Sequence, residues 1–285
     1  MRTDNIEHKA LFTIPAAVHS TTLANIKALP AQRKITGHKQ TDAYLWVLEV
    51  IRLNESAHLD AAEEALQKLT IKPKDAEKRY RDWLMMNGAD PFQVAFGTIG
   101  MDNPANAIKA ARENIKKAAD VRATFGNYET AMEDVEAERV IKSSTRFIDD
   151  YYWGWTAAEK KARRIDGSRS NELDEKRRAW VAGYRDVLPE PHTLSDVARE
   201  FVYWDWLYGV RQIAGKELGD EFGYSEHHQS VYDRERYLEE LLSTIRPVTR
   251  AEAVEVCRWF LESGKGEYLK DDGAAVILNL VGECE

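Results

Sequence analysis

The sequence predicts an all-α protein, with roughly ten helices in a multi-helix, bundle-like array. Three observations predict it. Apolar residues recur at spacings of three and four rather than alternating. Helix-start signals recur along the chain, many with a side-chain cap followed by proline or by an acid three residues later. Glycines follow several of the apolar stripes, where a helix needs a left-handed residue to stop.

Residues 1–38 are the least patterned stretch, broken by Pro15 and Pro30, and are expected to form an N-terminal arm. Leu59, Ala62, Leu66 and Leu69 give the first clear helical stripe. Asp90-Pro91-Phe92-Gln93 combines a cap carboxylate, a first-turn proline and a reciprocating Gln. Gly97 to Pro104 is a glycine-punctuated connection, and Asn103-Pro104 opens a helix carrying Ile108, Ala111 and Ile115 on one face. Gly88, Gly126, Gly167 and Gly264 are expected stops, and Asn127 an expected cap.

Thr156 to Glu159 is a capping box, and Gly167 to Asn171 is a polar turn. Leu188-Pro-Glu-Pro-His192 holds two prolines and is expected to separate a helical domain at 39–188 from an acidic helical domain at 189–285. Beyond it Ser195 is an expected cap, before the stripe Val197, Phe201, Trp204 and Tyr208. Ser230 caps a helix bearing Leu238, Leu241, Leu242 and Ile245. Thr249 to Glu252 is another capping box, and Ala274 to Val281 reads as a terminal helix.

Composition excludes several function classes. The 285 residues carry 44% hydrophobic and 31% charged side chains, enough apolar material for a core and too much for a disordered tail. The two cysteines, Cys257 and Cys284, exclude a disulfide scaffold and fit a reducing compartment. No stretch approaches a membrane span and the N-terminus lacks a secretory pattern, so a cytoplasmic protein is expected. The net charge of -8 disfavours sequence-independent binding of nucleic acid by the whole surface. That acidity is local: Glu217 to Glu285 holds 16 acidic and 7 basic residues, whereas Thr156 to Arg178 holds 8 basic and 5 acidic.

Chemical motifs are sparse. No nucleophile elbow, phosphate loop or Cys-x-x-Cys is present, and neither a cofactor nor a metal set is implied. Arg52 and His58 have the spacing at which HEPN ribonucleases present an Arg and a His from one helix face, which makes them the only catalytic suspects. Glu55 and His58 have the Glu-x-x-His spacing of di-iron helices, but no second such pair exists. Asp149-Asp150 stands next to aromatics, and Glu226-His227-His228 is expected to be a partly exposed polar stretch near a helix start.

The most distinctive feature is aromatic. Tyr151, Tyr152, Trp153 and Trp155 form one cluster, and Tyr203, Trp204, Trp206 and Tyr208 another. Basic residues, among them Arg163, Arg164, Arg177 and Arg178, lie between them, with Trp180 following. Trp, Tyr and Arg are the usual anchors of protein interfaces. The expected function is therefore a non-enzymatic helical interaction protein, adaptor- or inhibitor-like, whose partner is another protein. It would bind through Trp153, Trp155, Arg163, Arg164, Arg177, Arg178, Trp180, Trp204 and Trp206, and through the acidic C-terminal surface. The alternatives are nucleic-acid binding through the basic 160–178 region, where rings stack bases, and a HEPN-like ribonuclease.

Overall fold

A computed structural model describes residues 2–19, 28–220, 224, 226–265 and 270–282, the first three of the last segment by backbone alone. The described residues are helical without strands: fourteen α-helices and one 3-10 turn. The count exceeds ten because α1 (Ile6–Leu11), α7 (Tyr128–Met132) and α9 (Ala157–Ala162) are too short to show a periodic stripe. No described helix is long and apolar enough to cross a membrane.

Contacts divide the chain into two compact units, residues 17–128 and residues 1–16 with 129–285. The first unit packs α2 (Lys39–Arg52) against α3 (Ser56–Gln67), α4 (Pro73–Met86) and α6 (Pro104–Phe125), with α5 (Pro91–Thr98) on α4. Its core joins Tyr44, Val47 and Val50 of α2 to Leu59, Ala76, Met101 and Ile108. Asp42 fixes the start of α2: its carboxylate accepts from Thr36 N at 2.7 Å, Thr36 Oγ1 at 2.6 Å and Gly37 N at 3.2 Å. The Asp90–Gln93 capping box and the Asn103 cap form as expected.

The second unit is built on α11 (Leu194–Glu217) and α12 (Gln229–Thr244). Around them lie α8 (Glu136–Ser143), α10 (Gly167–Val181), α13 (Arg250–Glu262) and α14 (Lys270–Val281). Phe12, just past α1, packs edge-on against Tyr203 and Trp204, so residues 2–16 are woven into this core. Leu188 to His192, expected to lie between separate domains, is found within this unit. Arg234 donates to Pro189 O at 3.3 Å and to Gly183 O at 3.2 Å, and Tyr237 donates to Glu190 at 2.7 Å.

A buried charge cluster holds the unit together. Arg234 is fully buried and grips Glu200 through Nε at 2.8 Å and Nη2 at 2.9 Å. His8 Nε2 reaches the same carboxylate at 2.8 Å and Trp204 Nε1 donates to it at 3.3 Å. Burial opposes the Glu200 carboxylate, but Arg234 and His8 more than offset it and hold its pKa below the ordinary value. Arg211 and Glu138 form a second buried pair, at 2.6 and 2.7 Å.

Several caps differ from expectation. Gly167 opens α10 rather than closing a helix, because Asp166 accepts from Arg169 N at 2.8 Å and acts as the cap. Arg163, in the left-handed region, ends α9 instead. Thr193 and His228, not Ser195 and Ser230, cap α11 and α12. Thr249 caps α13, but the Glu252 carboxylate turns to Val248 N at 2.6 Å and Ser195 N at 2.9 Å.

Candidate functional site

The two aromatic clusters have different fates. Trp204 is fully buried, and Trp206 is half-buried against the same core, tilted onto Tyr203 at 5.6 Å. Trp204 was expected to bind a partner and is instead core, because a helix at the centre of a unit buries most of its faces; Trp206 keeps part of its surface open. Trp153 and Trp155 lie in the turn between α8 and α9, and each is half-buried. Gly154 between them has φ +76°, and a Cβ there would sit 2.7 Å from Leu173 Cδ2. This tight, left-handed turn sets both indoles beside α10.

There they wall an open cleft of about 700 Å³, with Ile148, Ile165 and Leu173 as further apolar wall. Arg177 of α10 and Asp233 of α12 meet in it. Arg177 Nε and Nη2 both donate to Asp233 Oδ2, at 3.0 and 2.8 Å. The second oxygen, Oδ1, is buried with no hydrogen-bond partner. Tyr184 Oη is likewise buried and unpartnered; burial and the Asp233 charge push its pKa up to about 12.

Carboxylates predominate at the mouth. Asp150 is held by Tyr152 N at 2.8 Å and Lys160 Nζ at 3.1 Å, which keeps its pKa low. Asp149, Asp174 and Glu226 also line the cleft, are exposed and have no ion-pair partner among the described residues. Opposing them is Arg236, half-buried and also without a carboxylate partner. His228 lines the cleft, its Nδ1 accepting from Ser230 N at 3.2 Å as the α12 cap.

His227 also borders the cleft but, contrary to expectation, is buried. Its Nε2 lies 3.0 Å from Trp204 O and its Nδ1 3.2 Å from Tyr224 Oη. Burial lowers the pKa of both histidines, so both are neutral at pH 7. A smaller pocket of about 290 Å³ adjoins, sharing Asp233 and Arg236 and lined by Arg178 and Arg185.

Of the other basic candidates, Arg163 and Arg164 are exposed at the end of α9, outside the cleft. Trp180 is exposed on α10, where its carbonyl accepts from Arg146 at 2.6 Å. The basic run is extensively neutralised. Lys160 pairs with Asp150, Arg169 with Glu159 and Glu172, Lys176 with Glu172, and Arg177 with Asp233.

The catalytic suspects do not share a helix. Arg52 ends α2, Asn54 turns the chain at φ +56°, and His58 lies in the first turn of α3. Among the described residues, no group of three or more His, Cys, Asp or Glu is placed to hold a metal ion.

Two features escaped sequence reading. Asp233 and Arg236 sit on a polar-looking helix, and only tertiary packing brings them to Trp153 and Arg177. In the first unit, Phe92 and Phe96 stand one turn apart on α5 at 75% and 69% exposure, next to exposed Ile99. Comparison with protein-family models, curated proteins and solved structures finds no match.

Proposed function

We propose that the chain is a non-enzymatic helical interaction protein that receives a segment of another protein in the second-unit cleft. One observation carries this reading. The fold brings Trp153, Trp155 and Arg177 to one open cleft of about 700 Å³, large enough for several residues of a partner. Aromatic walls offer contact area, and the carboxylates and Arg236 at the mouth offer directional polar contacts. Nucleic-acid binding is less well supported, since half of the basic residues from Lys160 to Arg178 already pair with acids of the same chain. A HEPN-like reaction is less well supported too, with Arg52 and His58 on separate helices.

The test is affinity capture from lysate of the cells the protein comes from, with the wild type and a Trp153→Ala/Trp155→Ala variant side by side. A stoichiometric protein retained by the wild type and lost by the folded variant is the expected result. No such protein, or equal retention by both, would refute the reading.

A further inference from the structure

We propose that the cleft is a cation site, built to take a lysine or arginine side chain from the partner segment. This rests on the interaction reading above and names the chemistry that the partner must present.

Four features of the cleft converge on a cationic side chain. The first is the indole pair: Trp153 and Trp155 present ring surface, and a guanidinium or ammonium is drawn to the negative face of such rings. The second is charge. Asp149, Asp174 and Glu226 line the cleft without ion-pair partners among the described residues, against one unpaired cation, Arg236. The third is a buried carboxylate. Asp233 lines the cleft with its side chain 1% exposed, and its Oδ1 has no donor, although Arg177 saturates Oδ2. That oxygen is closed to solvent, so Asp233 acts on a ligand through its charge and through its hold on Arg177, not through a direct hydrogen bond. The fourth is the apolar wall of Ile148, Ile165 and Leu173, which suits the methylene stem of Lys or Arg.

Size selects the source of the cation. At about 700 Å³ the cleft is far larger than one arginine side chain, so a peptide segment fills it better than a free amine. The neutral state of His227 and His228 adds no positive charge to oppose the ligand.

The experiment titrates the full chain with a blocked Gly-Arg-Gly peptide at low salt, by calorimetry and tryptophan fluorescence. The same peptide with citrulline, a neutral isostere of arginine, serves as the comparison. Binding of the arginine peptide alone is expected. It should weaken about tenfold in Asp174→Asn/Glu226→Gln and in Trp155→Leu. Glu255→Gln/Glu262→Gln removes the same charge from exposed positions of α13 and should leave the affinity unchanged.

Equal binding of the citrulline peptide, or equal weakening by the α13 variant, overturns the site. Saturation by spermidine, with no competition from the arginine peptide, overturns the peptide source. If lysate capture yields a Trp-dependent partner that the arginine peptide does not displace, the interaction reading stands and the cation assignment falls. If the peptide binds as expected but no partner is captured, the cation site stands and the interaction reading falls.

Discussion

Replacing Arg234 with Met should be among the most damaging single substitutions in the second unit. The guanidinium is fully buried, donates twice to Glu200, and also donates to the carbonyls of Gly183 and Pro189. Met fills much of the volume but leaves Glu200 charged and buried, with only His8 and Trp204 as donors. Breaking a buried pair from one side costs about 3–5 kcal/mol. For a unit of this size that lowers the melting temperature by about 6–20 °C. Thermal unfolding followed by near-ultraviolet circular dichroism, sensitive to buried tryptophans such as Trp204, measures it.

The double variant Arg234→Met/Glu200→Leu removes both charges and should recover part of the loss, the remainder reflecting His8, Trp204 and the Gly183 and Pro189 carbonyls left without these partners. The pH dependence has a defined sign. The folded pKa of Glu200 lies below the ordinary value, so its contribution is present above the unfolded carboxylate pKa and is lost as pH falls through the folded one. The double variant should lack that acid-sensitive component. A single variant within about 1 kcal/mol of wild type, or a double variant less stable than the single one, would refute the reasoning.

Three further outcomes follow from the same structure. Gly183→Ala should destabilise the unit by about 2 kcal/mol or more, because φ is +59° and the new Cβ would lie 2.2 Å from Tyr237 Cβ; a neutral urea midpoint would contradict this. His227→Gln should flatten the pH dependence of stability below about pH 6.5. Wild-type His227 has a folded pKa below its unfolded one, so stability falls as pH drops from the unfolded value toward the folded one; unchanged slopes in urea titrations from pH 7 to 5 would count against its buried, neutral state. Phe92→Ser/Phe96→Ser should change stability by less than about 1 kcal/mol, since both rings face solvent; a larger loss would mean that they are buried in solution.

Elements with local signals were legible in the sequence. Asp90 with Gln93, Asn103 with Pro104 and Thr156 with Glu159 start helices because their partners lie within four residues. The α3 stripe was readable because Leu59 and Ala62 face one core, with Leu66 and Leu69 packed against it. Gly167 misled because glycine at a helix start and after a helix end look alike, and only the Asp166 cap distinguishes them. Trp153, Trp155 and Arg177 were nominated by composition and do line the cleft. Trp204 was nominated on the same grounds and is core, since residue type does not reveal which side of α11 faces a neighbour. Asp233 was out of reach: its partner Arg177 lies 56 residues earlier.

The placement of α1 has a consequence for how the chain comes together. Residues 17–128 find their core within one continuous stretch and can close it while later residues are still being made. The other unit cannot. Asn5 N waits for Asp196, 191 residues later, His8 waits for Glu200, and Glu200 in turn waits for Arg234. The surface on which α1 docks is α11, which supplies Asp196, Glu200, Tyr203 and Trp204. The helix α1 is thus made well before the helix that it packs on, and its docking is a closure over 191 residues, the kind of long-range contact that slows folding.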